Sequence, residues 1–163
     1  MRPAETADLR PVCLKPRMQT YAGGLFIRDS RILLGRRSSS RRLFPNVWDV
    51  FGGHVRSNET PVIALRRELE EELGIVHAVL RFAEVIEGAL PSSHRKFQYW
   101  IYLVTQWAGV PENRSSEHST IRWFTFAEAR KLSLPHPDYV RLFKRYLRRD
   151  PSVGPRPPRR PGH

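Results

Sequence analysis

Near its middle the chain changes period. Val62, Leu65, Leu69 and Leu73 recur at the spacing of an amphipathic helix running from about Glu59 to Leu73, and Gly74 stands where a C-terminal cap belongs. On both sides of this stripe the text reads as strand. Before it come TYAGGLFIRD and RILLGRR, joined as a hairpin by a polar Asp29-Ser30 turn. A breaker-rich loop, SSSRRLFPN, follows, and then the short extended piece VWDVF that runs into Gly52-Gly53. After the stripe come IVHAVLRFAEVIEG, FQYWIYLVTQWAG and TIRWF, and finally two helical stretches, FAEARKL and DYVRLFKRYLRR. One helix between two groups of strands, with more helices at the end, predicts the order β-β-β-α-β-β-β-α-α. An α/β fold with helices packed against a mixed sheet follows from that order.

The ends are different in kind. Residues 1–18 hold three prolines and no periodicity, and the last thirteen, PSVGPRPPRRPGH, hold five prolines and two glycines. Such a composition sustains neither a helix nor a central strand. We therefore expect a flexible N-terminal segment over 1–18, one domain over 19–149 and a disordered basic tail over 150–163. The formal charge of +12 sits largely outside the domain, because residues 141–163 carry eight Lys and Arg against Asp150 alone. A nearly neutral domain argues against a specific nucleic-acid partner. Cys13 is the one cysteine in the chain, which excludes an intramolecular disulfide and fits a reducing, cytoplasmic setting. With no apolar run of membrane length and no signal-peptide core near the start, neither a membrane partner nor secretion is expected.

The central helix is also where charge concentrates. At about 100° per residue, with Glu68 at zero, Glu71 falls near 300° and Glu72 near 40°, while the apolar stripe lies between about 60° and 140°. The acidic face thus borders the buried one, and Glu70, near 200°, points away. Carboxylates at i, i+3 and i+4 repel one another, and Glu71 and Glu72 stand at the negative end of the helix dipole. A hard divalent cation such as Mg2+, which prefers carboxylate oxygens and phosphates, would relieve that repulsion. A solvated acidic face accounts equally well for the cluster taken alone.

The wider frame decides between the two. In GHVRSNETPVIALRRELEEELGI, Gly53 is followed after five residues by Glu59, and after seven more by Arg67-Glu68-Leu69, any residue, Glu71-Glu72, any residue, Gly74-Ile75. This resembles the Nudix box, G-x5-E-x7-R-E-U-x-E-E-x-G-U with U aliphatic, at every defined position. With each fixed residue type at roughly 7% usage, a chance match in this length is below about one in ten million. NVWDVFGGHV upstream, and YWIYLVTQWAG and IRWFTFAEA downstream, extend the resemblance to MutT-like members from about residue 20 to 147.

The resemblance implies a Nudix fold, a mixed β-sheet sandwiched between helices. It also implies a pyrophosphohydrolase that uses Mg2+ or Mn2+ to cleave a nucleoside di- or triphosphate, or a modified nucleotide, by water attack on phosphorus. On this chain Glu71 and Glu72 become the metal ligands, Glu68 a further ligand or the base for water, and the Gly52 carbonyl a completing ligand. Arg67 becomes a structural partner of Glu59, Gly53 and Gly74 complete the box, and Arg37 aligns with a phosphate-contacting arginine. The residue pattern alone leaves Arg37 equally a solvated loop arginine. Two positions depart from the family pattern. Phe51 stands where proline often precedes the glycine pair, and Thr105, with Gln106 next, stands where an additional acidic ligand is common, which makes Glu117 in the later loop its candidate substitute. Trp48 and Trp123 read as core, and His54, His94 and His118 lack metal-site spacing. Rival readings are a nucleotide-sugar or dinucleotide hydrolase, an isopentenyl diphosphate isomerase-like enzyme, and a non-catalytic nucleotide- or RNA-binding module.

Overall fold

A computed structural model describes residues 18–91 and 93–147. The tail expected over 150–163, and all but Met18 of the N-terminal segment, lie outside the described residues. Strand β1 (Gln19–Arg28) turns into β2 (Arg31–Arg37) through Asp29 and Ser30, whose φ values of 50° and 55° are those a tight hairpin turn requires. The hairpin then forks. Near the turn β1 and β2 pair from Phe26↔Leu33 to Arg28↔Arg31. Farther along, β2 takes β3 (Trp48–Asp49) and β1 takes β4 (Phe51–His54). On its other edge β1 runs parallel to β6 (Lys96–Trp107), which pairs antiparallel with β5 (Ala78–Ala89) at the sheet border. β7 (His118–Thr125) pairs with β2, giving one mixed seven-stranded sheet.

Alternation along the strands divides the core into two layers. Ala22, Phe26, Leu33 and Phe51 face helix α1 (Pro61–Leu73), which buries Ala64, Leu65, Leu69 and Leu73 against them. Leu25, Ile27, Ile32 and Ile101 face the other way, toward α3 (Asp138–Leu147) with its buried Tyr139, Leu142 and Phe143. The short helix α2 (Phe126–Ala129) lies on this second side. Burying a large apolar side chain is worth about 1.5–3 kcal/mol, so each stripe is enough to fix its helix on the sheet. The sheet is therefore sandwiched between helices. No described helix is long and apolar enough to cross a membrane.

Several boundaries differ from the sequence reading, each for a local reason. The piece read as one strand, VWDVF, is two strands interrupted at Val50, because the Asp49 carboxylate takes the Val50 N–H at 2.8 Å. Helix α1 starts at Pro61, not Glu59. The Thr60 hydroxyl caps it by accepting from Ile63 N, and proline without an N–H suits the first helical position. Ile75 belongs to the helix cap and not to β5, since its N–H reaches back to Leu69 O at 3.1 Å. β7 begins two residues earlier than Thr120, where a bulge between Arg36 and Arg37 brings Arg37 opposite His118. FAEARKL narrows to four helical residues, and Lys131 and Leu132 form the tighter i→i+3 bonds of an unwinding end.

Candidate active site

The fork in the hairpin puts Gly52 and Gly53 at the floor of a cleft of about 700 Å³. Glu68 of α1 stands at the same end. The rim is made by Arg41 and Arg42 of the 38–44 loop and by Ser116 and Glu117 of the loop before β7. The two loops are tied together by Ser38 N donating to Glu117 O at 2.8 Å and by the Arg41–Glu117 ion pair at 3.1 Å. The loop before β7 is in turn anchored to α1, since Glu112 N and Arg114 N donate to the helix-end carbonyls of Leu73 and Glu72. That satisfies two carbonyls the helix cannot satisfy itself, and it explains how a distant loop carries Glu117 to the acidic helix. The cleft is also lined by Leu90, Phe97, Tyr99 and Pro135.

Glu72 is the buried acid of the site, 2% exposed. Its Oε2 accepts from the Gly52 N–H at 2.8 Å, so Gly52 meets Glu72 through its amide. Burial pushes the Glu72 carboxyl well above its ordinary range, and the charges of Glu68 and Glu117 push it further. Glu68 is also raised by burial, against the opposing pull of Arg67. Gly53 leaves the space for Glu68, because a β-carbon there would collide with its carboxyl.

Arg67 ties the box together. Its Nε reaches Glu59 Oε1 at 2.7 Å, Nη2 reaches Glu59 Oε2 at 3.0 Å and the His54 carbonyl at 3.2 Å, and Nη1 reaches Glu68 at 2.6 Å and Glu71 at 3.4 Å. Glu59, left outside the helix by the Thr60 cap, is free to make this bidentate pair. The Arg67 hydrogen bond, followed by that from the Arg56 N–H, draws the Glu59 carboxyl from 4.5 down to about 2. A depressed carboxyl stabilises the fold above its unfolded value and loses that contribution as pH falls toward the folded one. The stability gap between wild type and Glu59→Gln should therefore be constant above pH 5 and close between pH 4.5 and about 2. Denaturant unfolding across that range checks it, and a gap that persisted at pH 2 would contradict the pairing.

Glu71 is exposed and accepts from Arg67 Nη1 at 3.4 Å. Among the described residues, no three His, Cys, Asp or Glu side chains converge, as placed, into a cluster that would hold an ion. Glu68 and Glu72 are brought together around the glycine floor, and the exposed Glu71 shares Arg67 Nη1 with Glu68. Arg37 lines the cleft, but its guanidinium is engaged with the Leu43 and Phe44 carbonyls at 2.8–3.1 Å and stands 3.8 Å from Asp49. It props up the loop that carries Arg41 and Arg42. Gly74, at φ 69°, closes the helix by donating to Glu70 O. Trp48 packs on Phe124 and Trp123 stacks on Trp107, both against the core.

Three features escaped the sequence reading. Asp49 is buried beneath the cleft and raised by burial, its Oδ1 accepting from Tyr139 Oη at 2.8 Å. Tyr99 and Tyr139, raised well above their ordinary values by burial, line the cleft with it. His118 lies 3.7 Å from Glu72. Tyr139 shares the apolar stripe of its helix with Leu142, Phe143 and Tyr146, a spacing that marks it as core and says nothing of its hydroxyl, while the others owe their place to contacts between segments far apart in the chain.

The chain matches the NUDIX domain family model over residues 18–146. It is 36% identical over 90 residues to an 8-oxo-dGTP diphosphatase of Buchnera aphidicola (subsp. Acyrthosiphon pisum), a match covering 55% of this chain and 69% of that one. To an 8-oxo-dGTP diphosphatase of Escherichia coli K12 it is 29% identical over 101 residues, 62% of this chain and 76% of the other. Among solved structures, that of a MutT NUDIX hydrolase from Burkholderia pseudomallei is similar with a TM-score of 0.66 at 27% identity, covering 78% of this chain and 95% of that one.

Proposed function

From the premise that the chain belongs to the NUDIX family and is a hydrolase of phosphoanhydride bonds, we propose that it is a divalent-metal-dependent pyrophosphohydrolase acting on a nucleoside di- or triphosphate or a modified nucleotide. The observation that carries this reading is Glu72, a carboxylate buried against the glycine pair and raised by that burial and by the neighbouring Glu68 and Glu117. Carboxylates forced together in this way fit Mg2+ or Mn2+. Glu72 and Glu68 would hold the ion, with Glu71 joining once its side chain leaves Arg67, and Glu117 on the rim is a fourth candidate. When bound, such an ion neutralises phosphate charge and acidifies a water.

The chain's own groups do the rest. Glu68, raised by burial, is suited to take the proton of the attacking water. Arg41 and Arg42 face phosphate from the rim, on a loop held in shape by Arg37. Leu90 and Phe97, which line the cleft, offer apolar surface for the base. Because its relatives include 8-oxo-dGTP diphosphatases, 8-oxo-dGTP heads the substrates to test, beside ordinary triphosphates, nucleotide sugars and dinucleotides. The isomerase-like alternative calls for a cysteine, and Cys13, the one cysteine in the chain, lies outside the described residues.

The test is a screen of that panel with and without Mg2+ in water enriched in oxygen-18. We expect Mg2+-dependent cleavage of a nucleoside phosphate with the label entering a phosphate product. A panel left intact in both conditions would sink the reading.

A further inference from the structure

The Glu72 carboxyl is flanked by two donors, of which one is engaged. The Gly52 N–H meets Oε2 at 2.8 Å, while His118 Nδ1 stands 3.7 Å from Oε1, too far for a hydrogen bond. That nitrogen is buried without any partner, on a side chain 2% exposed. A buried polar atom left unpaired costs stability and calls for a reason. We propose that His118 is the positioning residue for Glu72, its Nδ1–H closing on Oε1 when the carboxylate holds a divalent cation. The inference rests on the reading of Glu72 as a metal ligand.

The imidazole is placed for that one task. Its ring packs on Phe51 with centroids 5.1 Å apart, and it fills the space that glycine leaves at Gly35, where a β-carbon would collide with it. Its backbone is fixed by pairing with Arg37 and by Asn113 Nδ2 donating to its carbonyl at 2.8 Å. A side chain so enclosed cannot swing away, and a shift of under about 1 Å brings Nδ1 to hydrogen-bond length. A neutral N–H orients a ligand carboxylate and leaves its negative charge for the cation, whereas an imidazolium would compete with it.

Three samples of the full chain test this by Mn2+ titration followed by electron paramagnetic resonance. His118→Leu keeps apolar bulk and removes the donor, and His118→Asn places an amide nitrogen where Nδ1 stood. We expect the Leu variant to bind Mn2+ about 10- to 100-fold more weakly, and the Asn variant to stay within about threefold of wild type. In wild type saturated with Mg2+, nitrogen-15 NMR of the imidazole should show the proton on Nδ1, a reading that stands even where a variant fails to fold. Wild-type affinity in His118→Leu, equal losses in both variants, or a bare Nδ1 would each overturn the assignment. No Mn2+ binding by wild type, or unchanged binding by Glu72→Gln, would overturn the reading of Glu72 as well.

Discussion

Glu72→Gln should lower kcat by about a hundredfold or more while leaving the metal-free protein at least as stable as wild type. The two effects have one origin. Glu72 is buried, its carboxyl is pushed well above the ordinary range by burial and by Glu68 and Glu117, and its ionisation is therefore unfavourable in the metal-free fold. Gln has the same shape, and its amide oxygen can still accept from the Gly52 N–H. Removing the charge thus relieves the fold without opening a cavity. The same change removes an anionic ligand from a cation worth several kcal/mol to the transition state, and about 3 kcal/mol corresponds to roughly a hundredfold in rate. Thermal unfolding separates the two contributions. Mg2+ should raise the wild-type Tm by mass action, with about 2.7 kcal/mol at a hundred times Kd, and should leave the variant unmoved. A variant that kept the wild-type rate, or the wild-type response to Mg2+, would remove Glu72 from the metal site.

The acidic helix could be read from its text because everything that makes it is local. The stripe Val62, Leu65, Leu69 and Leu73, the stop at Gly74 and the placement of Glu72 beside the buried face need only the 3.6-residue period. What surrounds the helix depends on long-range pairing. The fork between β1 and β2, filled by two short strands, follows from ladders that no window of sequence contains. His118 and Glu117 reach Glu72 because the loop before them caps α1, a bond between backbone groups that carries no residue signature. Net charge misdirects for the opposite reason. It sums over ends rich in arginine, whereas the chemistry depends on a few carboxylates whose neighbours, and not the chain total, set their protonation.

Gly52→Ala should be the most damaging single-methyl change in the site. Gly52 has a φ of 147°, open to glycine and strained for other residues, at a cost of about 1–3 kcal/mol. Its β-carbon would also meet the Ala22 carbonyl oxygen and the Gly23 Cα, backbone of the central strand β1. That strand is held along its other edge by the parallel ladder to β6, so it cannot give way as a flexible side chain could. Overpacking of this kind adds about 1–3 kcal/mol, for a total of about 2–6 kcal/mol and a fall in Tm on the order of 10 °C. Gly109→Ala is the control. Its φ of 85° imposes the backbone strain, but nothing lies within 4 Å of its β-carbon, so only the smaller loss is expected there. Because the Gly52 N–H holds Glu72, the folded fraction of Gly52→Ala should also turn over more slowly, while Gly109→Ala keeps its kcat. Equal melting temperatures for the two variants would mean that the β1–β4 contact is looser than the geometry requires, and that the glycine floor is not what fixes Glu72 in place.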